Sequence, residues 1–153
     1  MAEVKISSAS PAGTEIDSLT ANEFALEIEG RRAAGIFKVA GLIPFKLEIK
    51  PTVTRLVRDP FKIHKMVQRD PANPFNVWLK ETHEAREDIA RPLRQLAIVA
   101  LDDGVETRRW TIKGAYISEV AYSEFNTSSG ELVEEILTIQ YEAIDETWPA
   151  GGA

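Results

Sequence analysis

The sequence predicts a mainly β fold, a β-sandwich or barrel with one flanking α-helix. Three observations carry that prediction. Apolar and polar residues alternate with period two in several separate segments, the signature of half-buried strands. A single segment carries the 3.6-residue period of a helix. Asp103-Gly104, set between two long β-like runs, is a strong signal for a tight hairpin turn.

Near the start, Phe24, Leu26 and Ile28 alternate with Ala25, Glu27 and Glu29. Gly30 and the polar Arg31-Arg32 pair then read as a turn. "GIFKVAG" reads as the returning strand, so residues 23–41 are expected to form one hairpin. In "FKLEIK", Phe45, Leu47 and Ile49 share a face, and Pro51 limits pairing at its end. Residues 51–72 mix β-branched residues with Arg55, Arg58, Lys62, Lys65 and Arg69. They read as two short strands around a turn at Asp59-Pro60, part of the segment being a mobile or partner-ordered loop.

The helical segment begins at Asn73, a good N-cap, with Pro74 at the first helical position. Phe75, Trp78, Leu79, Thr82, Ala85 and Ile89 fall on one face, while Lys80, Glu81, Glu84, Glu87 and Asp88 lie mainly off it. Pro92 is expected to end the helix. "RQLAIVALDDG" is apolar on both faces from Leu96 to Leu101, which predicts a central strand. Next comes "WTIKGAYISEVAYSEFN". Trp110, Ile112, Gly114 and Tyr116 share a face, with Val120 and Tyr122 keeping the phase. A strand this long bends at its glycine or pairs with something outside its own domain. "ELVEEILTIQYEAI" reads as one last strand with Val133, Leu137, Ile139 and Tyr141 on a face.

A length of 153 residues is one ordinary domain, and 44% hydrophobic residues suffice for a core. Residues 1–21 read as a flexible N-terminal arm, 22–148 as a single β domain and 149–153 as a loose tail. The net charge of −6 argues against binding nucleic acid by neutralising phosphates. With no cysteine, disulfides and thiolate chemistry are excluded. The N-terminal stretch has no apolar core of signal-peptide length, which predicts folding in the cytoplasm. No run is long and apolar enough to span a membrane, so no membrane anchor is expected.

Candidate chemistry is sparse, and no catalytic residue, cofactor-binding residue or metal ligand emerges. His64 and His83 are the only imidazoles. "HEARE" begins like a zinc-protease helix but lacks the second histidine. Asp102 and Asp103 precede a glycine and read as turn residues rather than as an acid–base pair. Glu134 and Glu135 point to opposite faces of a strand. Asn126-Thr127-Ser128 matches a glycosylation sequon but reads as a polar loop. The cations at Arg55, Arg58, Lys62, Lys65 and Arg69 stand out in an acidic chain. They read as a solvated hairpin, or as a charged contact with an acidic surface of another copy in heterologous association.

The order of elements resembles the phage tail-tube family, including the inner-tube proteins of contractile injection systems. The resemblance is carried by "NEFALEIEGRRAAGIFKVAGL", the charged hairpin, "NPFNVWLKETHEARED" and "LDDGVETRRWTIKGAYISEVAYSEFNTSSGELVEEILTIQYEAI", over residues 22–145. Val39-Ala40-Gly41-Leu42 is similar to the family's V-x-G-L turn. Trp110, Gly114-Ala115 and Tyr116 resemble its late strand, and Glu135, Leu137, Tyr141 and Glu142 its E-x-L-x-x-x-Y-E ending. The resemblance implies a structural protein and no enzyme. Hexameric rings would stack into an inner tube, with a sheath protein around it, baseplate and terminator proteins at its ends, and cargo or DNA in its lumen. It also implies assembly in the bacterial cytoplasm, then residence in a phage tail or extracellular injection particle. The cations named above are the expected subunit and ring contacts, and Lys80, Glu84 and Glu87 the expected sheath-facing positions. "FKIHKMVQRDP" lacks the glycine that many relatives carry before the helix, which keeps open a tube-initiating or terminating ring. A ligand-binding β-barrel of the lipocalin kind is the remaining alternative, and it predicts an internal apolar pocket.

Overall fold

The computed structural model describes residues 18–149, so most of the expected arm and tail lies outside the described residues. The elements are β1 (Phe24–Ile28), β2 (Arg31–Ala33), β3 (Ile36–Ala40), β4 (Leu47–Ile49), β5 (Thr54–Leu56), β6 (Phe61–Met66), α1 (Pro74–Ala85), β7 (Arg94–Asp102), β8 (Val105–Tyr122), β9 (Glu134–Gln140) and β10 (Ala143–Thr147). Eight of the strands form one antiparallel sheet that folds over on itself, and β4 and β5 form a separate ribbon.

The fold-over happens within β8. Its first half lies between β7 and β10, continuing through β1 to β2; this is sheet I. Its second half, Tyr116–Tyr122, pairs with β9, which leads through β6 to β3; this is sheet II. The corner is Gly114, at φ +63°. A Cβ there would sit 2.9 Å from the Glu142 Cβ, so both the backbone angle and the close approach require glycine. The register against β7 gains an extra β8 residue between Ile112 and Ala115, and the register against β9 gains another at Ser118. These bulges reverse the expected facing: Ile112 is buried, and then Ala115 and Ile117 are, with Val120 facing in again. Period two therefore holds only between bulges, and Tyr116 does not share the inner face of Ile112.

The two sheets enclose one core. Leu26, Ile28, Leu96, Ile98 and Ile112 come from sheet I, and Phe61, Ile63, Ile117, Leu137 and Ile139 from sheet II. α1 completes it with Phe75, Trp78 and Leu79, as its period predicts. The Asn73 side chain accepts the Phe75 amide at 2.9 Å and caps the helix. Trp78 is fully buried, and its indole donates to Pro92 O at 2.9 Å. β7 is the central strand expected, buried on both faces from Leu96 to Ala100, and Asp103 and Gly104 make the positive-φ turn into β8. The Glu23 carboxylate accepts both turn amides, at 2.9 and 2.8 Å.

Four expectations need correction. Residues 23–41 do not form one hairpin. β1 turns at Glu29-Gly30 into the short β2, and the chain then crosses to sheet II, where β3 pairs with β6. Two short strands, β5 and β6, do flank Asp59-Pro60, but they do not pair with each other: β5 pairs with β4 across a turn at Lys50–Val53. α1 stops at Ala85, where Arg86 turns to φ +47° and Arg91 donates to Arg86 O, Asp88 O and Thr82 O. Ile89 is consequently off the helix and 99% exposed. The last strand is two strands, broken at Tyr141-Glu142 opposite the Gly114 corner.

Candidate assembly surfaces

The β4–β5 ribbon projects from the body between β3 and β6. Lys50 and Val53 exchange backbone hydrogen bonds at its tip, and Arg55 and Glu48 pair across it at 2.6 Å. Its base is fastened by Lys46–Asp59 at 2.9 Å, by Tyr141 Oη to Ile43 O at 3.3 Å and by Arg58 Nε donating to Glu142 O. Phe45, Leu47, Ile49, Val53 and Leu56 are all exposed, Ile49 by 74%. A two-stranded ribbon is marginal on its own, and this one shows apolar side chains to water.

The five expected contact cations do not form one patch. Arg55 is on β5, Arg58 at the ribbon base, Lys62 on the outer face of β6 and Arg69 in the loop before α1, all exposed. Lys65 is a correction, because its side chain is 0% exposed. Phe61, Ile63 and Lys65 alternate onto the inner face of β6, as Glu135, Leu137 and Ile139 do on β9, and the register sets Lys65 opposite Glu135. Lys65 Nζ meets Glu135 Oε1 at 2.6 Å, donates to Met66 O at 3.0 Å and lies 5.5 Å from the Phe75 ring centre. Partial burial, with the Glu135 carboxylate beside it, pushes the Tyr122 phenol above its ordinary pKa. The period-two count from Phe61 would have revealed the buried lysine, since residues 62 and 65 of one strand face opposite ways.

On α1, Lys80 and Glu84 are exposed; Glu87 is also exposed but lies past the helix end. Glu81 ties the helix to β7 through Arg94 at 2.8 Å. Glu134 pairs with His64 on the outer face of sheet II, opposite in direction to the buried Glu135.

The outer face of sheet I carries a charge network that sequence reading missed. Arg109 pairs with Glu27 and Glu106, both at 2.8 Å, and Lys113 pairs with Asp145 at 2.8 Å. The Arg109 hydrogen bonds hold the Glu106 carboxyl below the usual carboxylate range. Glu27 and Arg109 lie 82 residues apart, and no local pattern connects them.

Two strand edges of sheet II have no partner among the described residues: the outer edge of β3, and the edge of β8 along Tyr116–Tyr122. An apolar cleft of about 410 Å³ opens between the sheets, lined by Phe24, Phe37, Val39, Leu42, Ile98 and Trp110 among others. The middle of the core is filled by Phe61, Phe75 and Trp78, where a lipocalin-like barrel would hold its ligand.

Sheet II thus has open edges on both sides among the described residues, the ribbon shows apolar side chains to solvent, and the core is filled. Residues 20–145 match the family described as T4-like virus tail tube protein gp19, and the chain belongs to that family. It is a structural tube subunit of the kind found in phage tails and contractile injection systems. No curated protein sequence matches it significantly. Among solved structures, it is similar to a chain of the anti-feeding prophage tube-terminating cap, at TM-score 0.69 and 12% identity, over 89% of this chain and 95% of that one. A chain of the PVC extracellular contractile injection system sheath–tube complex, in its extended state, aligns at TM-score 0.67 and 10% identity, over 87% and 93%. Hcp1 from Flavobacterium johnsoniae aligns at TM-score 0.55 and 12% identity, over 83% and 96%.

Proposed function

We propose that the domain of residues 22–148 closes into a six-membered ring through sheet II and that rings stack into an inner tube. The carrying observation is the strand count. Sheet II has four strands of alternating direction, β3, β6, β9 and the second half of β8, with both outer edges open. Because four is even, β8 of one copy meets β3 of the next antiparallel, and every junction repeats the pairing inside the subunit. Sheet I has five strands, β2, β1, β7, β8 and β10, and the same rotation would create a parallel junction. Backbone pairing around the ring removes the open edges and makes the wall stiff.

On this reading the outer face of sheet II, with Lys62, His64, Glu134 and Gln140, lines a lumen for cargo or DNA. Glu27 and the Arg109 network face away from it. The ribbon, with Arg55 and Arg58 at its flank and base, makes contacts between subunits or rings, and Arg69 is a further candidate, whereas Lys62 points into the lumen. Lys80, Glu84 and Glu87 face the sheath. Charge reversal at Glu84 and Glu87 that left sheath assembly and contraction unchanged would remove that last assignment. The function is mechanical, with no catalytic step, and the sheath and baseplate are the partners. The tube is assembled in the bacterial cytoplasm and works in a tail or released particle. The fold also resembles a terminating cap, and copy number per particle separates a main subunit from an initiator or terminator.

The test is negative-stain electron microscopy with native mass spectrometry of the purified protein. Rings or tubes in multiples of six support the reading. A chain that stays monomeric at every concentration, and also fails to enter tubes when produced with its sheath and baseplate partners, would sink it.

A further inference from the structure

Ile89 is almost completely exposed, yet the loop that carries it is held firmly. Arg91 donates to three carbonyls of the helix end and loop, and Asp88 N donates to Ala85 O at 2.9 Å. Beyond it, Pro92 O accepts the buried Trp78 indole. An isoleucine fixed in water on a braced loop is a knob that lacks a socket among the described residues of its own chain.

The socket is the open apolar cleft, and the topology places the two at the same level of the wall. The helix end, with Arg86, Glu87 and Arg91, lies against β8 at Ile117–Val120, beside the unpaired β8 edge. Through the ladder of β8, β9, β6 and β3, that level corresponds to the C-terminal end of β3, since Glu119 pairs with Thr138, Thr138 with Lys62, and Lys62 with Ala40. The cleft is lined there by Lys38, Val39 and Leu42, beside the unpaired β3 edge. Knob and cleft also lie on the same side of sheet II, because α1 packs into the core and the cleft opens between the sheets. When β8 of one copy joins β3 of the next, the loop comes to the side of the neighbour's cleft, at a height set by the stagger of the closed barrel.

We propose that Ile89 of one copy seats in the cleft of the next copy, against Val39, Leu42 and Trp110, locking each ring junction behind its strand pairing. The proposal rests on ring closure through sheet II, and the partner is a second copy of this chain.

The chain has no cysteine, so introduced pairs report without background. In the double variant Ile89→Cys with Val39→Cys, oxidation is expected to give a ladder of covalent species ending at the closed ring, with neither single variant giving it. Ile89→Asp is expected to raise the concentration for half-assembly roughly tenfold or more, as loss of a central apolar anchor does. Ile89→Leu should retain assembly. The unassembled Ile89→Asp chain should melt as the native one does, because the side chain is in water there. Native-like assembly of Ile89→Asp, or rings that stay uncross-linked in the double variant, would overturn the docking and leave the ring reading standing. Absence of any native assembly, alone or with the sheath and baseplate partners, would remove both.

Discussion

Removing one member of the buried Lys65–Glu135 pair should be among the most damaging single changes outside the apolar core. Both side chains are out of water, at 0% and 3% exposure. In Glu135→Leu the Lys65 ammonium keeps only Met66 O and the Phe75 ring, neither of which carries the lost charge. Stranding a buried charge in this way costs about 3–5 kcal/mol. For a domain of this size that is a fall in melting temperature of roughly 6–20 °C. The double variant Lys65→Met with Glu135→Leu removes both charges and keeps similar volume, so it should return to within about 1 kcal/mol of the native chain, or exceed it. The assay is urea denaturation of the unassembled domain for the native chain, both single variants and the double, read as a mutant cycle. Unassembled protein is needed because association would raise apparent stability by mass action. If Glu135→Leu alone stayed within about 1 kcal/mol of native, the pair would not be buried as described and the reasoning would fail.

Three further predictions concern the elements that shape the wall. Gly114→Ala must hold a Cβ at φ +63° and 2.9 Å from the Glu142 Cβ, so it should cost about 1–3 kcal/mol, measured by the same urea titration. Asn73→Ala removes the acceptor for the Phe75 amide and should cost about 1 kcal/mol, while Asn73→Asp should retain most of the stability. The Tyr122 phenol is raised by its partial burial first and by Glu135 second, so the folded chain holds that proton more tightly than the unfolded one. Its contribution is therefore present below the ordinary tyrosine value of about 10 and is lost as pH rises through the higher folded value. Tyr122→Phe should flatten the alkaline fall in denaturation midpoint, and an unchanged fall would count against the assignment.

Much of the fold was legible because local physics decided it. Asn73-Pro74 and the apolar stripe of Phe75, Trp78 and Leu79 place α1 correctly, since capping and amphipathicity are short-range. Asp103-Gly104 marks the β7–β8 turn for the same reason. The doubly apolar run at Leu96–Ala100 reports a strand buried on both faces. Phase errors arose where bulges intervened: Gly114 and Ser118 each shift β8 by a residue, and strict alternation cannot anticipate an inserted residue that only the partner strand reveals. The end of α1 was misplaced because Arg91, five residues beyond Arg86, folds back onto the carbonyls and stops the helix before Pro92.

The sequence by itself determined that the chain has no cysteine, that it is mainly β with a helix starting at Asn73-Pro74, and that it resembles a tube protein. Residues near in sequence carry those signals. Only the tertiary structure decided that β1 and β3 belong to different sheets, that Lys65 is a core residue rather than a surface contact, and that Arg109 spans to Glu27. It alone set the open edges of β3 and β8 at either side of a four-stranded wall. Each of these depends on which strand lies beside which, and that choice is made by burying one shared core, a sum over the whole chain that no single segment contains.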